Sequence, residues 1–358
     1  MPKYCLEEYV SPIWAGNMMR YETVFFVGDE DSAELLYTPT KVLAVYDYSL
    51  LKEYKEGVDY FVKGKKIYRL KDGNLPYMPE EEYFLPAYIE HQICVNETAI
   101  PKGMSAPRFF AYGEEDTFTK HQIAVTYEYD EKENLPQPNS NKQGFSRFLE
   151  KCRKGEDVTL LFYGDSITTG CNASGTEDGG RVPPYAVGFA EMVRDTIAKS
   201  FHVNVEMINT AVGGWLVENG LQAVDERVKP YAADIMVLGF GMNNGHTPPE
   251  EFRKCTEEII LSYREKNPEG EVVLLSTTLP NVDSNWLHNH PLFANELHIL
   301  AEKYPFCEVA DMTEWHKMLL KNGKRWRDMT GNNINHPNDF LIRVYAQVIL
   351  KTILNDEF

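Results

Sequence analysis

The spacing of hydrophobic and polar positions changes once along the chain, near residue 145. Before that point, short runs such as TVFFVG, KVLAVYDY and HQIAVTYEYD alternate apolar and polar side chains between clusters of Gly, Pro and Asp. This alternation is typical of antiparallel β-strands, because successive side chains of a strand point to opposite faces. We therefore predict an all-β domain, a sandwich or jelly-roll, over residues 1–135.

A polar stretch with the composition of a linker covers residues 136–145. Beyond it, a helix is predicted over 146–153 and an amphipathic helix over 340–354. Five apolar runs alternate with the helical stretches, at 158–163, 203–208, 235–239, 272–277 and 306–310. Strands that alternate with helices predict a five-stranded parallel sheet between two helical layers, an α/β/α domain over residues 146–358.

Composition and charge narrow the class of function. The 358 residues include 36 Lys and Arg against 54 Asp and Glu, a formal charge of −18, and 43% of them are hydrophobic. This apolar content is enough for a folded core, and the acidic balance argues against a protein that binds nucleic acid or a membrane surface. The sequence shows no signal peptide and no run near the ~20 apolar residues of a membrane span, so we expect a cytoplasmic protein.

Polar loops follow the predicted parallel strands. The first strand runs into residues 164–170, the second into 209–215 and the third into 239–244, and residues 333–339 follow the fifth strand at some distance. The carboxyl ends of parallel strands meet at one edge of the sheet. These four loops are therefore predicted to converge there.

Four residues of these loops offer the groups that acyl transfer requires. A serine nucleophile, here Ser166, needs a base to take its proton, and an imidazole with an ordinary pKa of about 6.5 suits that task, which makes His336 the candidate base. The tetrahedral intermediate also needs hydrogen-bond donors for its oxyanion. The backbone N–H groups of Ser166 and Gly214 and the side-chain amide of Asn243 are the candidates.

With these residues the sequence resembles the SGNH or GDSL hydrolases over roughly residues 146–358. The resemblance rests on four ordered blocks: Gly-Asp-Ser-Ile-Thr at 164–168, the loop 209–214, Gly-Met-Asn-Asn at 241–244 and His-Pro-Asn-Asp at 336–339. The resemblance implies that Ser166 is the nucleophile, that His336 is the base, and that Gly214 and Asn243 help to form the oxyanion hole, as the chemistry of the loops also suggests. A β-rich domain before such a domain is similar to the two-domain carbohydrate acetyl esterases of this superfamily.

The third catalytic position departs from the family pattern. The family usually carries Asp three residues before the catalytic histidine, where this chain has Asn333, and Gly-x-Asn-Asp where this chain has Gly-Met-Asn-Asn. The side-chain oxygen of Asn333 can accept the Nδ1–H of His336 but adds no full charge, and a backbone carbonyl could serve instead. We therefore expect a Ser-His dyad or a weak Ser-His-Asn triad.

Other residues near these loops are secondary candidates. Asp165 is interpreted as a hydrogen-bond acceptor that organises the nucleophile loop. Trp215, Trp286 and His288 are candidate lining residues of the substrate pocket, and Trp215 is as compatible with a place in the core. His288 and His290 lack a third ligand at a convincing spacing, and the six cysteines include no CxxC pair. We therefore expect no metal and no organic cofactor.

Together these features predict a serine esterase that removes a small acyl group from a carbohydrate or similar polar alcohol through an acyl-enzyme, with acetyl favoured by the resemblance. Two alternatives stay open: a lysophospholipase or thioesterase for longer acyl chains, and a catalytically weakened glycan-binding protein. The loops 171–185 and 280–293 are rich in Gly, Asn, Asp and His, which favours a polar substrate, and the first is interpreted as a mobile rim. The N-terminal domain could bind glycan, wall the site or form a homo-oligomer.

Overall fold

Two kinds of β-sheet occur in the computed structural model, which describes residues 4–85, 93–94, 108–138 and 145–358. Before residue 139 the described elements are α1 (Leu6–Val10), β1 (Met18–Phe25), β2 (Ser32–Glu34), β3 (Pro39–Asp47), β4 (Glu53–Tyr54), β5 (Tyr60–Lys63), β6 (Lys66–Arg69), α2 (Glu80–Tyr83), β7 (Phe84–Leu85), β8 (Ile93–Cys94), β9 (Phe109–Phe110) and β10 (Gln122–Tyr129). The strands form antiparallel sheets in the orders β1-β10-β3-β4, β2-β6-β5 and β7-β9-β8. The β-rich character predicted for this region is confirmed.

The second region is built around one parallel sheet. Its elements are α3 (Ser146–Arg153), β11 (Val158–Gly164), α4 (Ser166–Thr169), α5 (Phe189–Phe201), β12 (Val205–Asn209), α6 (Val217–Gln222), α7 (Val224–Arg227), β13 (Ile235–Gly239), α8 (Pro249–Lys266), β14 (Glu271–Leu275), α9 (His290–Lys303), β15 (Cys307–Ala310), α10 (Met312–Lys321) and α11 (Asp339–Leu354). The sheet order is β12-β11-β13-β14-β15, with every neighbouring pair parallel. The predicted five-stranded α/β domain is confirmed.

The burial of the parallel strands explains why the sequence pattern predicted them. Every residue of β13 and β14 is buried, because helices cover both faces of a parallel sheet and leave each strand a continuous apolar run. The predicted limits of the two regions stay a prediction, and residues 139–144 of the predicted linker lie outside the described residues. None of the helices in the described part of the chain is long and apolar enough to cross a membrane.

The last helix is buried on all sides, although its sequence predicted an amphipathic helix. All 16 residues of α11 are buried. The helix contacts α5, β14 and β15 of the parallel domain, and it also contacts α1 and β1 of the N-terminal region. The N-terminal region therefore covers the face of α11 that would otherwise meet water.

A buried ion pair joins the two regions beside the loop that precedes α11. Lys324 Nζ lies 2.7 Å from Glu22 Oε1 in β1, and neither side chain is exposed. The ammonium group also donates to the carbonyl oxygen of Thr23 at 2.7 Å. The Glu22 carboxylate accepts hydrogen bonds from the backbone N–H of Leu36 and the hydroxyl of Tyr127. These extra hydrogen bonds offset part of the desolvation cost of the two charges.

Replacing Lys324 by Ala is expected to lower the free energy of unfolding by ~3–5 kcal/mol, because the Glu22 carboxylate stays buried without its partner. Urea denaturation of the full chain measures this change. The control is Lys317→Ala, which removes an exposed pair with Glu314 and should cost about 0–1 kcal/mol. Equal losses in the two variants would contradict the importance of the buried pair.

Candidate active site

Ser166 lies at the carboxyl end of β11, where the strand turns directly into α4. The turn requires Gly164, because a β-carbon there would lie 2.2 Å from the carbonyl oxygen of Gly239 in the neighbouring strand. Asp165 caps α4 with one carboxylate oxygen, and the other accepts the backbone N–H of Met242 at 3.3 Å. Burial raises the pKa of Asp165 to about 6. The interpretation of Asp165 as the residue that organises the loop is confirmed.

His336 faces Ser166 directly. Its Nε2 lies 2.9 Å from Ser166 Oγ, and the two residues are 8% and 5% exposed. The loop around the histidine is shaped by Asn332, whose side-chain oxygen accepts the backbone N–H groups of Ile334, Asn335 and His336. This distance allows the serine hydroxyl to pass its proton to Nε2.

The other ring nitrogen of His336 contacts Asn172. Asn172 Oδ1 lies 2.6 Å from His336 Nδ1, and Asn172 Nδ2 donates to the carbonyl oxygen of Asp178 at 3.1 Å. The second contact directs the amide oxygen, and not the amide nitrogen, toward the imidazole. Nδ1 therefore carries the proton in the neutral ring, and Nε2 is left as the acceptor for Ser166.

Asn333 does not orient His336, and this corrects the sequence-based expectation. Its side-chain Nδ2 donates to the carbonyl oxygen of Ala111 at 3.0 Å, in the N-terminal region. Its own carbonyl oxygen accepts the indole N–H of Trp326 and the amide of Asn281, each at 3.0 Å. The backbone at Asn333 has a φ of 71°, in the left-handed region that asparagine tolerates. The residue thus anchors the loop on both sides, and its amide is directed away from the imidazole.

A carboxylate from the N-terminal region lies close to the same ring nitrogen. Glu114 Oε2 is 3.6 Å from His336 Nδ1, and Oε1 accepts hydrogen bonds from the hydroxyl of Tyr112 and from Asn332 Nδ2, the latter at 3.2 Å. Burial alone would raise the pKa of Glu114. The contacts with His336, Tyr112 and Asn332 outweigh burial and lower this pKa to about 2. Glu114 is therefore ionised at neutral pH.

The candidate oxyanion donors come from two loops beside the serine. A β-carbon built on Gly213 would lie 3.8 Å from Ser166 Cβ, and Gly214 has a φ of 76°, which favours glycine. Asn243 Nδ2 donates to the carbonyl oxygen of Trp215 at 3.1 Å. This contact uses one of the two amide hydrogens and ties Asn243 to the loop of Gly214. The oxyanion role of these residues stays a prediction.

The remaining sequence candidates differ in their surroundings. Trp215 packs partly buried against a hydrophobic cluster of the parallel domain, which favours its place in the core. Trp286 packs against the cluster that contains Ile334, near the histidine loop. His288 is exposed, and its ring centre lies 4.0 Å from that of His246. Within the described residues, no three His, Cys, Asp or Glu side chains are grouped to hold a metal ion.

Sequence reasoning missed Asn172 and Glu114. The segment 171–185 was expected to be a mobile rim, but Asn172 is 1% exposed and the backbone N–H of Ser174 donates to Asp339 Oδ1 at 2.8 Å. A signal for Asn172 existed, since it follows Ser166 closely in the chain, just after α4. No comparable signal pointed to Glu114, because its segment between β9 and β10 is far from Ser166 and His336 in the sequence.

Asp328 holds the histidine loop against β1. One carboxylate oxygen accepts the backbone N–H of Phe25 at 2.9 Å, and the group pairs with Arg325 at 2.8 Å. Burial alone would raise the pKa of Asp328, but the charges of Arg325 and Lys324 outweigh it and lower this pKa to about 2. The carboxylate is therefore a charged link between the two regions.

Comparison with known families shows that residues 162–340 match the GDSL-like Lipase/Acylhydrolase family. The matched range includes Ser166, Asn172, Gly214, Asn243 and His336, whereas Glu114 lies outside it. No curated protein matches the chain.

Several solved structures are similar to this chain at low identity. A two-domain esterase (CEX) active on acetylated mannans is 19% identical with a TM-score of 0.49, over 61% of this chain and 54% of that chain. Its structure with mannopentaose gives 19% identity, a TM-score of 0.48 and coverages of 59% and 53%. Axe2, an acetylxylan esterase from Geobacillus stearothermophilus, is 17% identical with a TM-score of 0.46, over 55% of this chain and 94% of that chain. The chain spans about half the length of the two-domain esterases it matches.

The low pKa of Asp328 predicts a specific acid sensitivity. Since the folded-state pKa of about 2 lies below the ordinary value of 3.8, its stabilisation is present above pH 3.8 and is lost as the pH falls toward 2. Asp328→Asn should therefore be less stable than the wild type at pH 7, and this difference should narrow by roughly 2 kcal/mol between pH 5 and pH 2.

Urea denaturation at several pH values measures the difference. The matched control is Asp72→Asn at an exposed position, which should follow the wild type throughout. If the gap between Asp328→Asn and the wild type stayed constant with pH, the charge of Asp328 would not account for its contribution.

Proposed function

This chain belongs to the GDSL-like lipase/acylhydrolase family, and we propose on that premise that it is a serine esterase that removes a small acyl group, acetyl first of all, from a carbohydrate or similar polar alcohol. The observation that carries the proposal is the 2.9 Å contact between Ser166 Oγ and His336 Nε2, with the opposite ring nitrogen held by Asn172. A serine, a base and a group that orients the base are the parts that covalent acyl transfer needs.

The reaction follows from these positions. Ser166 Oγ attacks the ester carbonyl carbon while its proton moves to Nε2 of His336, and the carbonyl oxygen becomes an oxyanion. The backbone N–H groups of Ser166 and Gly214 and the amide of Asn243 stabilise that charge. The C–O bond to the alcohol breaks as the imidazolium returns the proton to the leaving oxygen. Water then attacks the acyl-enzyme by the same steps and releases the carboxylic acid.

The loops at the same edge of the sheet as Ser166 support a polar alcohol. Exposed polar side chains lie on the loops that follow β13 and β14, at His246, Asp283, Asn285 and His288. Hydroxyl groups of a carbohydrate offer hydrogen-bond partners to such side chains, whereas a long acyl chain requires an extended apolar surface. The choice of acetyl rests on the resemblance to two-domain carbohydrate acetyl esterases.

Hydrolysis of p-nitrophenyl acetate should be measurable for the wild type and should fall to the buffer rate in Ser166→Ala, because no other group supplies the nucleophile. The parallel substrate p-nitrophenyl octanoate should react more slowly. Acetylated mannan and xylan oligosaccharides then test whether the alcohol part of the substrate is a carbohydrate, with released acetate as the readout. Activity that survives in Ser166→Ala would refute the mechanism. A preference for p-nitrophenyl octanoate would show that the substrate carries a long acyl group and not a small one.

Asn243→Ala is expected to lower kcat for p-nitrophenyl acetate by roughly 10²–10³-fold with little change in KM, because an oxyanion donor acts mainly on the transition state. Steady-state kinetics over a range of substrate concentrations separates the two parameters. Circular dichroism confirms that the variant is folded, and Ser166→Ala provides the zero of the assay. A rise in KM at unchanged kcat would instead assign Asn243 to substrate binding.

A further inference from the structure

The structure assigns a further positioning residue to this site: we infer that Glu114, from the N-terminal region, supplies the negative charge that stabilises the imidazolium of His336 during acyl transfer. The inference rests on the proposed esterase function and deepens it. The family places that charge on an Asp three residues before the histidine, where this chain has Asn333. In this chain we assign the role to a residue between β9 and β10 of the N-terminal region.

The geometry around Nδ1 carries the inference. Glu114 Oε2 lies 3.6 Å from His336 Nδ1, and this oxygen is buried with no hydrogen-bond partner among the described residues. A buried carboxylate oxygen without a partner is costly, and such groups persist where a function uses them. When His336 takes the proton of Ser166, the positive charge forms within reach of this oxygen. Attraction between the two charges then lowers the energy of the imidazolium.

Two residues thus divide a task that a single Asp performs elsewhere. The neutral amide of Asn172, 2.6 Å from Nδ1, fixes the tautomer and the ring orientation. It cannot offset a full positive charge. Glu114 lies too far from Nδ1 to fix the ring by a normal hydrogen bond, but its charge acts over 3.6 Å on an imidazole that is 11% exposed.

Contacts on both sides hold the Glu114 segment against the site. The amide of Asn333 donates to the carbonyl oxygen of Ala111, and Asn332 Nδ2 donates to Glu114 Oε1. The backbone N–H of Glu115 donates at 2.8 Å to the carbonyl oxygen of Asp178, the same oxygen that accepts Asn172 Nδ2. The position of Glu114 is therefore fixed by the histidine loop and by the segment that carries Asn172. The site is incomplete without the N-terminal region.

Other titratable groups lie next to the pair of Glu114 and His336. Asp165 before α4 interacts electrostatically with His336, Cys171 and Tyr112 interact with Glu114, and Asp178 contacts Cys171. The Asp165 carboxylate accepts hydrogen bonds from two backbone N–H groups. The Cys171 thiol donates to the Asp178 carboxylate at 2.8 Å. Within the described residues, Glu114 is the carboxylate that lies within 4.0 Å of a ring nitrogen of His336.

The test compares Glu114→Gln with Glu115→Gln, its exposed neighbour, which undergoes the same change of charge. For p-nitrophenyl acetate, Glu114→Gln should lower kcat by about 10- to 100-fold with KM within about twofold, a smaller loss than the ~10⁴ seen where the tautomer is also lost. The acid limb of the pH profile of kcat/KM should move to lower pH, because Gln no longer supplies the negative charge 3.6 Å from Nδ1. Glu115→Gln should match the wild type in each respect.

A second readout separates this inference from the esterase proposal. The rate at which a fluorophosphonate labels Ser166, followed by intact mass, depends on the same serine and base but not on a natural ester. Its acid limb should shift in Glu114→Gln even if every acetyl ester were refractory. That result would reject the proposed substrate class and retain the role of Glu114.

Two further variants separate the loss of the charge from misfolding of Glu114→Gln. Glu114→Ala removes the charge and should shift the acid limb in the same direction as Gln does, whereas Glu114→Asp keeps the charge and should shift the limb less than either. An unchanged acid limb in both Glu114→Gln and Glu114→Ala would overturn the inference. So would a loss of activity carried by KM alone, since that pattern belongs to a residue that only supports the fold.

Discussion

The buried ion pair of Lys324 with Glu22 is the contact on which the position of the loop that carries His336 depends. It fixes the start of the loop that ends at His336 against β1, and neither side chain reaches water. The loop is then secured by Asp328, which accepts the backbone N–H of Phe25 in the same strand. The buried charges allow the loop few alternative positions, because any displacement would leave a buried charge without its partner.

The same constraint makes the N-terminal region part of the hydrolase structure. It covers α11, whose 16 residues are all buried between the parallel sheet and the N-terminal elements α1 and β1. It also supplies Ala111 and Glu114 to the surroundings of the histidine. These contacts join the two regions through a common core and a common polar network, in keeping with the expectation that the N-terminal region walls the site. Glycan binding and formation of a homo-oligomer stay predictions.

The groups around the imidazole come from separate parts of the chain. Ser166 follows the first strand of the parallel domain, His336 precedes its last helix, Asn172 follows Ser166 in the chain, and Glu114 lies between β9 and β10 of the N-terminal region. Orientation and charge, which one carboxylate usually provides together, are assigned to an amide and a more distant carboxylate. Such a division is possible because the amide must be in hydrogen-bond contact with the ring, whereas a charge acts over several ångströms.

The sequence by itself determined the elements that depend on local pattern. Continuous apolar runs fixed the five parallel strands, and the turn after β11 placed Ser166 at the edge of the sheet where His336 also lies. Only the tertiary structure decided the partner of Nδ1. Asn333 matched the family spacing, yet its amide contacts Ala111 because the N-terminal region offers that carbonyl. Long-range packing decides such contacts, and neither the identity of Asn172 and Glu114 nor the complete burial of α11 is encoded in a local period.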